Sequence, residues 1–393
     1  MIHVHVIDEL RTGGAQTHLI TMLREAVAHT GIEHHVVSLF GDGELSGEIR
    51  DLGIPVHVLD LRPYFRRRRF LAAAAQLQMM FTEMHPDVVE AHLTWSRFLA
   101  LFAAWRVDVR LRVGFEQGDL YMNSWKFRIA NFVAQSLAHR IVVCSEALAE
   151  WVQHTHGISR ARLLVMHNCV DLSRFSKDGP KAKDMEFPRG TVVFCAVGTL
   201  GRGVNKRTDV CIRALAAARS AGAKAVLVIC GDGEQRNELE DLASSLGIAS
   251  HVKFLGTRSN VAAVLRACDV FCHAAPFEPF GIVAIEAMAV GLPIVVPDSG
   301  GIRETVEHGV NGLIYPALDH QALGDAMLTL TNNPDLRKSM GLAARRLAEE
   351  RFSVREYLSN LYQAYGVDVD QSAATALVHV KAQAAEAVAG ATR

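Results

Sequence analysis

Glu278-Pro-Phe-Gly-Ile-Val-Ala-Ile-Glu286 sets two carboxylates on either side of a Phe-Gly turn, at the head of an apolar run that ends at Gly291 and Pro293. An apolar run between a glycine opening and a Gly–Pro stop reads as a short buried helix. The first turn of such a helix leaves backbone N–H groups without intrahelical acceptors, which makes it a seat for phosphate. Gly281, with no side chain in the way, lets a ligand approach that backbone closely. Glu278 precedes the seat and Glu286 lies more than a turn inside the helix. One acid can therefore reach a group beyond a diphosphate and the other a group behind it, as a sugar–diphosphate–nucleoside requires. Two capping or salt-bridged acids on a buried helix are the competing reading of the same segment.

Outward from this segment, apolar strand-like runs alternate with helical ones. Residues 191–197, 225–230, 251–254, 270–273, 293–297 and 312–315 read as strands, and 207–221, 234–246, 259–267 and 320–330 as helices. The same rhythm fills the first part of the chain. Its strands are expected at 2–7, 33–39, 56–59, 88–91, 110–115 and 140–144, with helices at 16–27, 70–84 and 125–137. Alternation of this kind specifies parallel sheets wrapped by helices. The polar, Pro- and Gly-bearing residues 175–190 interrupt it and read as a linker. The expected architecture is α/β, with two Rossmann-like doubly wound domains facing across a cleft and ligand at the carboxyl ends of the strands. The expected divisions are an N-terminal domain at 1–175, a linker at 176–190, a C-terminal domain at 191–350, a helix at 351–365 and a loosely attached tail at 366–393.

Composition narrows the function classes. A formal net charge of −1 argues against general affinity for nucleic acid. The N-terminus reads as a strand rather than a signal peptide, and no apolar run is long enough to span a bilayer, so a cytoplasmic protein is expected. The seven cysteines form no C-x-x-C pair and lie in apolar runs, as reduced core thiols do. The eighteen histidines look scattered. Neither His34-His35 nor His154/His156 has a matching acidic or Cys cluster, so no metal site is expected.

Several loops could carry chemistry. Gly13-Gly14-Ala15 joins the first strand to the first helix and suits close approach to a diphosphate or sugar, or is an ordinary turn. The loop Gly198-Thr-Leu-Gly-Arg202-Gly-Val-Asn-Lys206-Arg207 can bring positive charge to a diphosphate without a metal, or is a solvated basic loop. Gly231-Asp232-Gly233 and Ser299-Gly300-Gly301 are further candidates for close backbone approach to ligand, and Asn311-Gly312 reads as a tight turn between strands. The run Tyr64-Phe65-Arg66-Arg67-Arg68-Arg69-Phe70 interleaves aromatics with cations. That pattern suits a surface touching anionic lipid headgroups, or a solvated loop and helix start.

Taken in order, these motifs resemble the retaining, nucleotide-sugar-dependent glycosyltransferases of family 4, which have the two-domain GT-B fold. The E-x7-E signature of that family matches Glu278 to Glu286. Supporting matches are Gly13-Gly14, Asp87-Val-Val-Glu-Ala-His92, Val142-Val-Cys-Ser145, Asn168-Cys-Val-Asp171, Gly300-Gly301-Ile-Arg-Glu304 and Asn311-Gly312-Leu. The resemblance implies that Glu278 binds the donor sugar hydroxyls and Glu286 the ribose. It implies that the backbone of Phe280, Gly281, Ile282 and Val283 holds the diphosphate, and that Lys206 neutralises it as it leaves. It further implies that residues 352–365 cross back onto the first domain and that no metal or other cofactor is needed. Two positions depart from the pattern. Thr199 stands where the family's diphosphate-binding Arg commonly sits, which leaves Arg202 or Arg207 to replace it. Glu116-Gln117 stands where many members place a His beside the sugar, which leaves Glu116 or Gln117 to occupy that site.

The resulting expectation is transfer of a hexose-type sugar from a nucleotide diphosphate sugar to a saccharide, lipid-linked or small-molecule acceptor, as in polysaccharide or glycolipid synthesis. A sugar-nucleotide epimerase on the same scaffold and a non-catalytic sugar-nucleotide-binding protein are the competing classes. Only the transferase releases free nucleotide in strict dependence on an acceptor.

Overall fold

The computed structural model describes residues 1–27, 31–118, 125–201 and 206–367. The chain divides into two compact units, Met1–His167 with the segment from Val354 onward, and Asn168–Ser353. Each is built on one parallel sheet.

The first unit carries β1 (Ile2–Ile7), β2 (Glu33–Ser38), β3 (Val56–Val58), β4 (Val88–His92), β5 (Leu111–Glu116), β6 (Arg140–Val143) and β7 (Leu163–Val165). Their spatial order is β3-β2-β1-β4-β5-β6-β7, with every pairing parallel. The order reverses between β1 and β4, the place where doubly wound sheets open a crevice at their carboxyl ends. The carboxylate of Asp8, just past β1, accepts from the backbone N–H groups of Trp95 and Ser96 at 3.2 and 2.7 Å. It thereby caps the helix Thr94–Arg106 that follows β4. The helix Val354–Tyr365 belongs to this unit, where Tyr357 meets His18 edge-on at 5.0 Å and the Tyr365 hydroxyl donates to Glu90 at 2.7 Å.

The second unit carries β8 (Val192–Val197), β9 (Ala225–Cys230), β10 (Val252–Gly256), β11 (Val270–Cys272), β12 (Ile294–Pro297) and β13 (Gly312–Tyr315), ordered β10-β9-β8-β11-β12-β13. β9 reads Ala-Val-Leu-Val-Ile-Cys and is buried at every position, as a strand covered by helices on both faces must be. Here the order reverses between β8 and β11.

Three expectations change against this fold. Residues 175–190 are tied to the second unit rather than strung between units. The Arg266 guanidinium donates to the carbonyls of Arg174 (2.5 Å), Ser176 (2.7 Å) and Pro180 (3.4 Å), and the Ala182 N–H donates to the Ala263 carbonyl at 2.9 Å. The chain passes between units at His167/Asn168 and Ser353/Val354. Asn311-Gly312 does not join two strands, because β12 and β13 are parallel and need a crossover between them. Buried Asn311 instead closes the turn leading into β13, accepting from the Glu307 N–H at 2.7 Å and donating to the Thr305 carbonyl at 3.0 Å.

The third change concerns the histidines. Side chains alternate across a strand, so His3 and His5 of β1 share a face. Register then places His34 beside His3, Glu90 beside His5 and His92 beside Ile7. The parallel sheet therefore gathers residues far apart in sequence into one buried His–Glu cluster, where no metal-ligating group was expected. The seven cysteines are free and buried, and no described helix is long and apolar enough to cross a membrane.

Candidate donor site on the second unit

The switch point between β8 and β11 brings three charged or polar side chains together. Lys206 follows β8, His273 ends the β11 segment, and Glu278 lies on the loop beyond it. The Lys206 ammonium is 2.5 Å from Glu278 Oε2, and His273 Nε2 is 3.2 Å from the same oxygen. Burial alone would raise the Glu278 carboxyl. The hydrogen bond from His273 and the charges of Lys206 and His273 outweigh it and hold the group at about 2. Glu278 is thus ionised across the physiological range and retains 14 % exposure, enough to meet a ligand. His273 was not singled out from sequence, although a polar residue closing the apolar run Val270-Phe-Cys was a usable signal.

The backbone of Glu278 is fixed by its neighbours. Gly301 donates to the Glu278 carbonyl at 2.8 Å, and the Ser299 hydroxyl donates to the Pro276 carbonyl. A Cβ on Gly300, whose φ is +65°, would lie 2.6 Å from that same Glu278 carbonyl oxygen. The close approach read from Gly300-Gly301 therefore serves the protein's own acid-bearing loop. Gly231 plays a similar part, since a Cβ there would strike the Gly198 carbonyl oxygen at 1.9 Å.

Past Glu278 the helix Ile282–Val290 begins, with Gly281 as its N-cap at φ +86°. A Cβ on Gly281 would also sit 2.8 Å from the Ile302 side chain. Phe280 turns inward and packs edge-on against Phe352, so this pair anchors the start of the helix. Ile282 and Val283 are half-buried and belong to the first turn, whose amides lack intrahelical acceptors.

Glu286 sits one turn deeper, 8 % exposed, and has no hydrogen-bond or ion-pair partner among the described residues. Burial raises its carboxyl to about 8, with only the charge of Arg174 opposing the rise. A group raised from 4.5 to 8 stabilises the unliganded fold below pH 4.5, and that stability is lost as pH climbs through 8. The two acids of the signature are therefore in opposite states at neutral pH.

The remaining expected residues divide. Arg207, just ahead of the helix Thr208–Ser220, makes a two-point pair with Asp209 at 2.8 and 2.9 Å. That pair engages its guanidinium. Arg202 lies outside the described residues. On the first unit, Gly13 has extended backbone and caps the helix Gly14–Ala26 at the carboxyl end of β1. Glu116 ends β5 and is 1 % exposed. Its carboxylate pairs with buried Arg97 and accepts from Gln135 Nε2 at 3.0 Å and the Gly118 N–H at 3.1 Å. Burial would raise it, and the Arg97 and His156 charges hold it low. Both Glu116 oxygens are occupied within the unit. Arg66, Arg67, Arg68 and Arg69 are exposed, next to Phe70 at 42 % and Leu71 at 75 % exposure.

The family model "Glycosyl transferases group 1" matches residues 181–347, and the model "Glycosyltransferase Family 4" matches residues 12–174. Among curated relatives, a putative glycosyltransferase, EpsF, of Bacillus subtilis is 26% identical over 321 residues, 79% of this chain and 82% of that protein. A D-inositol 3-phosphate glycosyltransferase of Saccharomonospora viridis is 32% identical over 242 residues, covering 58% of this chain and 55% of its own length. Among solved structures, Anabaena HepE in complex with UDP aligns over 93% of this chain and 100% of that chain, with a TM-score of 0.78 and 22% identity. A second structure of HepE holds UDP-glucose.

Proposed function

Because the chain belongs to glycosyltransferase family 4, we propose that it moves a hexose from a nucleotide diphosphate sugar to an acceptor hydroxyl with retention of anomeric configuration, and that the reaction itself uses no metal. The observation that carries this reading is the contrast between the signature acids. Paired acids pushed to opposite protonation states mark distinct tasks. Glu278, ionised and held by Lys206 and His273, would accept from the donor sugar hydroxyls. Glu286, buried and unpaired, would take up the ribose hydroxyls. Lys206 would turn from Glu278 to the diphosphate as negative charge develops there, together with the amides of Ile282 and Val283. The diphosphate would take the acceptor proton, so no side chain has to act as a strong nucleophile. Glu116 would hold β5 and the following loop in place rather than touch the sugar.

The test is a panel of nucleotide sugars, starting with UDP-glucose, each with and without saccharide and lipid acceptors. Release of nucleotide only with an acceptor, and a product of unchanged anomeric configuration by NMR, support the reading. Acceptor-independent epimerisation, or binding without turnover of any donor, overturns it.

The state of Glu286 gives a pH signature. Two ribose hydroxyls donate best to a carboxylate, whereas the unliganded group stays protonated below about 8. UDP-glucose affinity should therefore rise about tenfold per pH unit up to that value and then level off. Glu286→Gln should flatten the profile in calorimetric titrations. An unchanged slope in the variant would remove Glu286 from donor binding.

The exposed Arg66–Arg69 run beside Phe70 and Leu71 supports a peripheral cytoplasmic enzyme resting on anionic lipid. Each cation near such a surface is worth about 1 kcal/mol. Co-sedimentation with vesicles containing phosphatidylserine should fall about a hundredfold or more in affinity when all four arginines become glutamine. Equal sedimentation of both proteins would discard the idea.

A further inference from the structure

The buried His–Glu cluster of the first unit is not used by the reaction above. Glu90 is fully buried on β4, and its ion-pair partners among the described residues are all histidines. His3 Nε2 lies 3.0 Å from Oε1, while His5 Nδ1 and His92 Nε2 lie 2.8 and 3.3 Å from Oε2. No Lys or Arg stands within ion-pair distance of it among the described residues. A buried carboxylate has to be compensated. The positive charge must come either from a proton shared with the imidazoles or from a cation bound among them.

We propose that His5 Nδ1, His92 Nε2 and the Glu90 carboxylate bind a divalent transition-metal ion of the zinc type, buried on one face of β1 and β4 beside the end of the helix Val354–Tyr365. The three donor atoms lie within 4.8 Å of one another. Tetrahedral zinc with bonds of 2.0–2.1 Å separates its ligand atoms by about 3.3 Å. The His92–Glu90 spacing already has that value, and the His5–Glu90 spacing needs only a small opening. An imidazole–carboxylate donor set without thiolate suits zinc, cobalt or nickel.

The surroundings fit a ligand shell. His5 turns its other nitrogen to His34 Nδ1 at 3.1 Å, the kind of contact that orients a metal-bound imidazole. The Tyr365 hydroxyl and His3 hold the second oxygen of Glu90. Neither ring nitrogen of His92 makes a hydrogen bond among the described residues, and a metal at Nε2 would give one of them a partner. The ion would link β1 and β4 and, through Glu90 and Tyr365, the C-terminal helix.

The full-length chain, expressed with zinc supplementation and dialysed against metal-free buffer, should retain about one zinc per chain by mass spectrometry of the digested protein. Refolding with Co2+ should give visible absorption bands of a nitrogen–oxygen site, and refolding with Zn2+ rather than chelator should raise Tm by about 5 °C or more. His92→Gln should abolish the cobalt bands. Should that variant fail to fold, the wild-type cobalt spectrum decides. Background metal content, no cobalt bands and identical Tm values in zinc and chelator overturn the site in favour of a shared proton, as do bands that persist in His92→Gln.

Discussion

Replacing Glu278 by glutamine is expected to lower kcat about a hundred- to a thousandfold, the cost of losing one preorganised electrostatic contact at a reacting centre. The variant keeps the size and shape of the side chain and removes its charge. Donor affinity should change by less than about tenfold, because one neutral hydrogen bond replaces a charged one while the diphosphate and ribose contacts are untouched. The carboxylate is tightly held. Lys206 and His273 converge on one oxygen at 2.5 and 3.2 Å, and Gly300 and Gly301 fix the backbone behind it. Such a group is already oriented before the donor arrives, so its contribution falls on the transition state rather than on binding. Steady-state kinetics with UDP-glucose, beside calorimetric titration, separate the two. A proportional loss in both would make Glu278 a plain binding residue, and unchanged turnover would remove it from the reaction centre.

The parts of this site that could be read from sequence are those whose chemistry is local. The helix Ile282–Val290 carries its own start and stop in Gly281 and Gly291, and both adopt the left-handed backbone that favours glycine. The acids before and inside it needed only that helix to acquire distinct roles. Strand pairing is a different matter, since register is set by residues tens of positions apart. His3, His34, Glu90 and His92 each look ordinary in their own segment and become a cluster only once β1 lies between β2 and β4. The helix Thr94–Arg106 is hard to read from sequence because its own Phe, Leu, Ala and Trp residues leave little polar contrast, which weakens the periodic signal. The segment after residue 175 looked like a linker because it is polar. Its attachment comes from Arg266, whose guanidinium satisfies three carbonyls about ninety residues away in sequence.

Arg97→Met is expected to destabilise the first unit by about 3–5 kcal/mol, because it strands the Glu116 charge in the interior without its partner. Arg97 and Glu116 are each 1 % exposed or less, so water reaches neither charge. Gln135 and the Gly118 amide would still donate to the carboxylate, yet neutral donors compensate a buried anion only in part. Glu116→Gln alone should also destabilise, by stranding Arg97. The double variant Arg97→Met/Glu116→Gln, which buries no net charge, should recover a large share of the loss, and that non-additivity in urea unfolding measures the pair directly. The same variants decide what Glu116 contributes to activity. If it holds β5 and the loop after it, then Arg97→Met and Glu116→Gln should lose activity in step with stability, and the double variant should regain both. If Glu116 instead touches the sugar, Glu116→Gln would stay inactive in the double variant after stability returns. The arrangement favours the first outcome. A carboxylate that is 1 % exposed and already accepts from Arg97, Gln135 and Gly118 is committed to the interior of its own unit rather than presented to a substrate.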